Sequence, residues 1–203
     1  MDAQTRIAAT WSRLIEGNRR FAEGEAQRPH QDRTTRESLV GGQHPDAAVL
    51  SCSDSRVPPE IVFDQGLGDL FDIRTAGEVV DDAVLESLEY AIQHLHVCLI
   101  VVMGHENCGA VAAAMKVLAG DENTEDEGFR SILMREVGAS ARIAFAADDE
   151  ATAEDVERIH VAQTIEALVT DSPVIRGAVR SGEVAIVGAR YKISDGKVEV
   201  LSF

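Results

Sequence analysis

The chain has 203 residues, 45% of them apolar, which is enough to fill the core of one ordinary domain. Its 35 acidic against 19 basic residues leave a net charge of −16, which repels phosphate backbones and anionic lipid, so no nucleic acid is expected as a partner. No apolar run approaches the roughly 20 residues of a membrane-spanning helix, and the first residues show no basic segment followed by an apolar one, so neither membrane insertion nor export is expected.

Three cysteines are too few for a disulfide scaffold of this size, so reduced thiols or metal ligands, and a cytoplasmic location, are the expectation. Lysine occurs at Lys116, Lys192 and Lys197, and the other basic residues are arginines. Abundant acid with scarce lysine fits a salt-rich cytoplasm, where salt screens the self-repulsion of a carboxylate surface. A GC-rich genome with an acidic loop or two produces the same composition.

Ile7, Trp11, Leu14, Ile15, Phe21 and Ala22 recur at helical spacing and predict an amphipathic first helix over 7–22. The polar stretch 24–45, with Pro29, Gly41, Gly42 and Pro45, reads as an extended connection, making 1–45 a helix and arm. AAVLSC (47–52) and LFDIR (70–74) are short apolar runs, 81–93 is helical, VCLIVVM (97–103) is a buried strand, and 108–118 is an alanine-rich helix. Strongly acidic stretches flank a short helical pattern (Ile132, Leu133, Val137, Ile143), so 121–157 reads as a solvated acidic insertion. A helix over 156–169, a turn of helix after Ser172-Pro173, a strand over 183–191 and a hairpin through Ser194-Asp195-Gly196 complete the chain. Uniformly apolar strands alternating with helices predict a single α/β domain over 1–203, with a mostly parallel central sheet flanked by helices. The last strand is expected as an antiparallel edge.

Ligands of open α/β sheets bind beyond the carboxyl ends of the strands, and two cysteine-containing turns fall there. Cys52 ends its strand with Asp54 and Arg56 just beyond; His105 follows the most apolar strand, and Cys108 enters the next helix. If those strands are neighbours, two thiolates and an imidazole converge, a set that suits Zn²⁺ and leaves a fourth position open for catalysis. A helix N-terminus favours Cys108 as thiolate. Arg56 can hold the Asp54 carboxylate bidentately, and Asp54 is close enough to bind the metal or turn away from it. Cys98, early in the buried strand, reads as a packed apolar residue.

The segments CSDSRV (52–57), FDQGLGDLFDIRTAG (63–77), SLEYAIQHL (87–95), LIVVMGHENCGAV (99–111) and VAIVGARYKISDGKV (184–198) resemble those of β-class carbonic anhydrases, over nearly all the chain except the acidic insertion. The resemblance implies a parallel-core α/β fold and a dimer or tetramer in which the first helix lies across the partner. It implies reversible hydration of CO₂ to bicarbonate through zinc-bound hydroxide, with one Zn²⁺ per chain. Residue by residue, Cys52, His105 and Cys108 match the zinc ligands, and Asp54 with Arg56 the catalytic pair, Asp54 becoming a fourth ligand in a closed state. Gln43, Phe71 and Tyr90 match substrate-pocket residues, some contributed across the dimer interface. Thr75, Glu86 and Glu106 depart from the pattern, and Val49 stands where the bicarbonate-regulated subgroup has tryptophan. A related enzyme acting on carbonyl sulfide or carbon disulfide, and a zinc or bicarbonate sensor, are the other classes compatible with these residues.

The composition generates one test. If the acidic surface is adapted to salt, the melting temperature rises with KCl as repulsion is screened, whereas a flat curve from dilute buffer to molar salt supports the compositional origin.

Overall fold

The computed structural model describes residues 2–120 and 132–202. Five strands form one sheet in the order β2-β1-β3-β4-β5: β1 is Ala47–Cys52, β2 Leu70–Thr75, β3 Leu99–His105, β4 Ala185–Tyr191 and β5 Val198–Ser202. The first four run parallel, and β5 pairs antiparallel with β4 as the expected hairpin edge. β1 and β3 are buried along their full length because helices cover both faces. Ala47, Val49, Leu99, Val101 and Met103 enter one core, and the alternate residues Ala48, Leu50, Ile100 and Val102 the other.

The helices are α1 (Ala3–Ala22), α2 (Arg33–Ser38), α3 (Pro59–Val62), α4 (Asp82–Gln93), α5 (Gly109–Leu118), α6 (Ile132–Ala147), α7 (Ala153–Asp171) and α8 (Pro173–Ser181). Local chemistry sets their starts. Asp2 and Asp81 cap α1 and α4, Thr152 with Asp155 forms a capping box at α7, and Ser172 with Pro173 opens α8. β3 runs two residues further than its apolar pattern predicts and carries His105 as its last residue.

Two expectations are corrected. The apolar stripe of α1 is covered by its own chain, with Ile7 and Leu14 in the core and the rings of Trp11 and Phe63 packed edge to face. Asn18 hydrogen-bonds the carbonyls of Val62 and Gly196 and the N–H of Val198, and Arg20 pairs with buried Asp64. The connection after α1 is no free arm, because Asp64 also accepts from the N–H groups of Gln27 and Arg28 and turns the chain back onto the core.

The second correction concerns 121–157. Residues 121–131 lie outside the described residues, but α6 is a 16-residue helix packed against α5 and α7, with Val137, Ala141 and Ala144 buried, so 132–147 belong to the core layer. Its small inward residues, Gly138, Ser140 and Ala141, allow close helix approach despite the acidic flanks. Part of that acid has a structural use, since Glu154 and Asp155 sit in the first turn of α7, where carboxylates favour the helix.

The placement of α1 is testable at Gly17, where a Cβ would lie 1.8 Å from the Phe63 carbonyl oxygen. Gly17→Ala is expected to lower stability by about 1–3 kcal/mol in urea unfolding. An unchanged midpoint would mean that α1 packs elsewhere.

Candidate metal centre

β1 and β3 lie side by side with Ser51 opposite Met103, so the strands end within one residue of each other. Cys52 is the last residue of β1, His105 the last of β3, and Cys108 the N-cap of α5. A tight turn through Asn107, which takes a positive φ of 56°, returns Cys108 to His105; asparagine tolerates that conformation better than most residues. The two sulfurs and one imidazole nitrogen lie within 4.8 Å of one another, and all three residues are buried.

His105 Nδ1 donates to the Glu106 carbonyl at 3.0 Å, which leaves Nε2 as the lone-pair nitrogen. That Nε2 is buried and has no hydrogen-bond partner, the state expected of a nitrogen meant for a metal. Cys52 Sγ accepts from the Gly77 N–H at 3.3 Å. The Cys108 thiol beside it, with His105 and the Gly77 N–H assisting against burial, draws Cys52 down to about 4. The neighbouring Cys52 sulfur, then burial, pushes Cys108 far up. Burial opposes charge on His105, but the nearby Cys52 sulfur and its thiolate charge outweigh it and raise the imidazole. A dication replaces these protons and stabilises both thiolates, so the residues fit zinc.

Asp54 and Arg56 stand beside this cluster. Arg56 grips the carboxylate through Nε at 3.0 Å and Nη2 at 2.7 Å, its backbone N–H adds a third bond at 2.9 Å, and Nη2 also donates to the Asn107 carbonyl. The guanidinium holds the Asp54 carboxyl well below the usual carboxylate range. Arg74 donates to the carbonyls of Cys52 and Asp54 and so pins the loop that carries the pair.

Two departures from the family pattern find structural uses. Thr75 Oγ1 donates to the Val79 carbonyl and closes the turn containing Gly77. Glu106 accepts from the Ser194 N–H and ties the His105 turn to the C-terminal hairpin. Cys98 packs at the opposite end of β3 against Thr10, as its apolar setting predicts.

The chain does not bring Gln43, Phe71 or Tyr90 to the metal cluster. Phe71 pairs with Ala48, four residues and about 13 Å before the Thr75 level, and its ring lies 6.2 Å from that of Tyr90. Gln43 lines a groove with Val40, Leu67 and Gly68, before β1 and β2 begin. All three lie toward the amino ends of the strands. The sequence reading missed Arg74, Gly77, Glu78, Glu157 and His160. Glu78 is fully buried with one unpartnered oxygen and is held well above the usual range by burial, then by the Cys52 charge. Nothing in the local pattern distinguishes these residues from ordinary strand, turn and helix positions, although Glu157 and His160 do share a helix face at i, i+3.

The chain matches the carbonic anhydrase family model over residues 47–198. It is 42% identical to carbonic anhydrase 2 of Mycobacterium tuberculosis, with 95% of this chain and 92% of that protein aligned. It is 43% identical to the carbonic anhydrase of Mycolicibacterium smegmatis, over 96% and 93% of the two chains. The solved β-carbonic anhydrase CcaA superposes with a TM-score of 0.74 at 27% identity, covering 94% of each chain. One of the tetrameric β-carbonic anhydrases of Sordaria macrospora gives 0.70 at 28% identity, over 95% of this chain and 97% of that one. The chain thus belongs to the β-carbonic anhydrase family, a class of zinc lyases.

The donor set predicts one zinc per chain by elemental analysis. Cys52→Ser and Cys108→Ser are each expected to lose most of it, whereas Cys98→Ser keeps it; full retention in both ligand variants would remove the site.

Proposed function

We propose that a single domain over 1–203 catalyses reversible hydration of CO₂ to bicarbonate, with Cys52, His105 and Cys108 holding one Zn²⁺ and Asp54 with Arg56 working beside it. The observation that carries this reading is the buried, unpartnered Nε2 of His105 facing two thiols within 4.8 Å, next to a clamped carboxylate. Zinc bound there supplies a Lewis acid that acidifies water, less strongly than with three neutral histidines because two thiolates cancel the dication's charge.

The chain's own residues then position and accept. Both Asp54 oxygens are engaged by Arg56, yet Oδ2, with one donor, keeps a free lone pair that can accept a hydrogen and orient a water beside the metal ligands. Because Arg56 stabilises the ionised form, Asp54 performs this role unchanged from neutral pH well into acid. Released from Arg56, the same carboxylate is the candidate fourth donor to the metal, so the ion pair is the open position of a gate. Arg74, by fixing the loop backbone, limits how far Asp54 moves when it lets go.

Gln43, Phe71 and Tyr90 are proposed as pocket residues supplied across a subunit boundary. Their place toward the amino ends of the strands supports this: β2 is an edge, and a twofold axis there reverses strand direction, bringing the partner's amino ends toward this chain's carboxyl end. Val40, Ile61 and Leu67, exposed near that edge, favour such an interface, and the related Sordaria enzymes are described as tetrameric. A homodimer or homotetramer is therefore proposed. Three free cysteines and the lack, among the described residues, of a helix able to cross a membrane support the cytoplasmic reading.

Stopped-flow CO₂ hydration with metal content measured on the same sample tests the reading. The rate should rise through mildly alkaline pH, since the thiolate-rich set acidifies water weakly. Asp54, with its lowered pKa, should add no acid limb above its ordinary value near pH 4. Arg56→Ala is expected to keep zinc and lose about a hundredfold in kcat, because the carboxylate is no longer aimed. Near-normal turnover in that variant would reduce the pair to a structural ion pair.

A further inference from the structure

Behind the metal ligands, two buried side chains of α7 reach toward the two cysteines from residues one turn apart. His160, 3% exposed, places Nε2 2.7 Å from the Gly77 carbonyl and Nδ1 2.9 Å from Ser140 Oγ. A carbonyl only accepts, so Nε2 carries the hydrogen. Burial favours the neutral ring, and in that form Nδ1 accepts from the Ser140 hydroxyl, whose other neighbour is the Glu136 carbonyl at 3.3 Å. Glu157, also 3% exposed, accepts from the Cys108 backbone N–H at 3.4 Å and from Arg190 Nε at 2.7 Å.

The contact to Gly77 has consequences because of what that residue does next. Gly77 takes φ 64°, and a Cβ there would lie 2.8 Å from Ala110 Cβ. Glu78 follows with φ 41°, a rare conformation for a residue with a side chain. Two consecutive left-handed residues persist when their surroundings hold them, and here the holds are Thr75 Oγ1 on the Val79 carbonyl and His160 on the Gly77 carbonyl. That held turn aims the Gly77 N–H at Cys52 Sγ.

We propose that His160 is a positioning residue of the metal centre: oriented by Ser140, it locks the Gly77 turn so that the Gly77 N–H donates to Cys52 Sγ, while Glu157 on the same face of α7 fixes the backbone of Cys108. α7 thus sets how tightly the thiolates hold their metal without contacting it. The proposal rests on the zinc assignment made above. Outer-shell partners of this kind are typically worth tenfold to a hundredfold in metal affinity.

The test compares the zinc-loaded wild type with His160→Leu, which removes the donor, and His160→Gln, whose amide Nε2 can reach the same carbonyl. Zinc loss to a chelator is expected to be about tenfold to a hundredfold faster in His160→Leu, with Gln restoring most of the wild-type rate. In cobalt-substituted protein, the thiolate-to-metal charge-transfer band should shift in the Leu variant and return in Gln, a response that loss of packing alone does not produce. Ser140→Ala keeps the imidazole and loses the bond that orients it, so it reports in the same direction even if His160→Leu fails to fold. Unchanged release and an unchanged band in Ser140→Ala and in any folded His160→Leu, or equal loss in Leu and Gln, overturn the proposal alone. A wild type that takes up no zinc overturns the metal assignment and this inference with it.

Discussion

The parallel pairing of β1 with β3 is the constraint on which the site depends. From Ala47 opposite Leu99 to Ser51 opposite Met103 the two strands run in the same direction and end within one residue of each other, so the residues that end them are neighbours by construction. Because side chains alternate between faces, a slip of one residue would send Cys52 to the opposite face and dissolve the cluster. That register is held strongly, since both strands are buried on both faces and a slip would exchange every side chain between the two cores. The crossover between them carries β2 to the other side of β1, where Thr75 pairs with Cys52 and the Gly77 turn falls beside its sulfur.

The site is also a problem in buried charge. Two sulfurs, Glu78 and Glu157 lie within one dry region, and an uncompensated ion there costs several kcal/mol. Each is answered differently. Arg190, itself buried, neutralises Glu157; burial favours the uncharged form of Glu78; and the thiols are the groups left to be answered by a metal dication. Asp54, at the rim, is answered by an arginine that is about half exposed. The arrangement separates a buried interior from an ion pair at its mouth.

Chemistry that is local in the chain was legible in its letters. The alternation of apolar runs and helices gives the α/β class, and α4 and α8 begin where their leading Asp81 and Ser172-Pro173 place them, whereas α7 starts at Ala153, three residues before its apolar pattern. Cys52, Asp54 and Arg56 occupy five consecutive positions, and His105 and Cys108 four, so their relations follow from one turn each. α1 and α6 were misjudged for a common reason: their polar and acidic flanks suggested detachment, while the interactions that bind them, Asn18 to the C-terminal hairpin and Ala141 against neighbouring helices, join residues far apart in the chain.

The sequence by itself therefore determined the fold class, the donor set and its preference for zinc, because residue type and short-range spacing dictate those. What only the tertiary structure decided was the second layer: that Arg74 pins the Asp54 loop, that His160 reaches Gly77 across 83 residues, and that Gln43, Phe71 and Tyr90 sit away from the metal within one chain. The physical reason is that hydrogen-bond reach is about 3 Å in space and has no signature along the chain. Which buried polar groups meet is settled when the helices pack on the sheet.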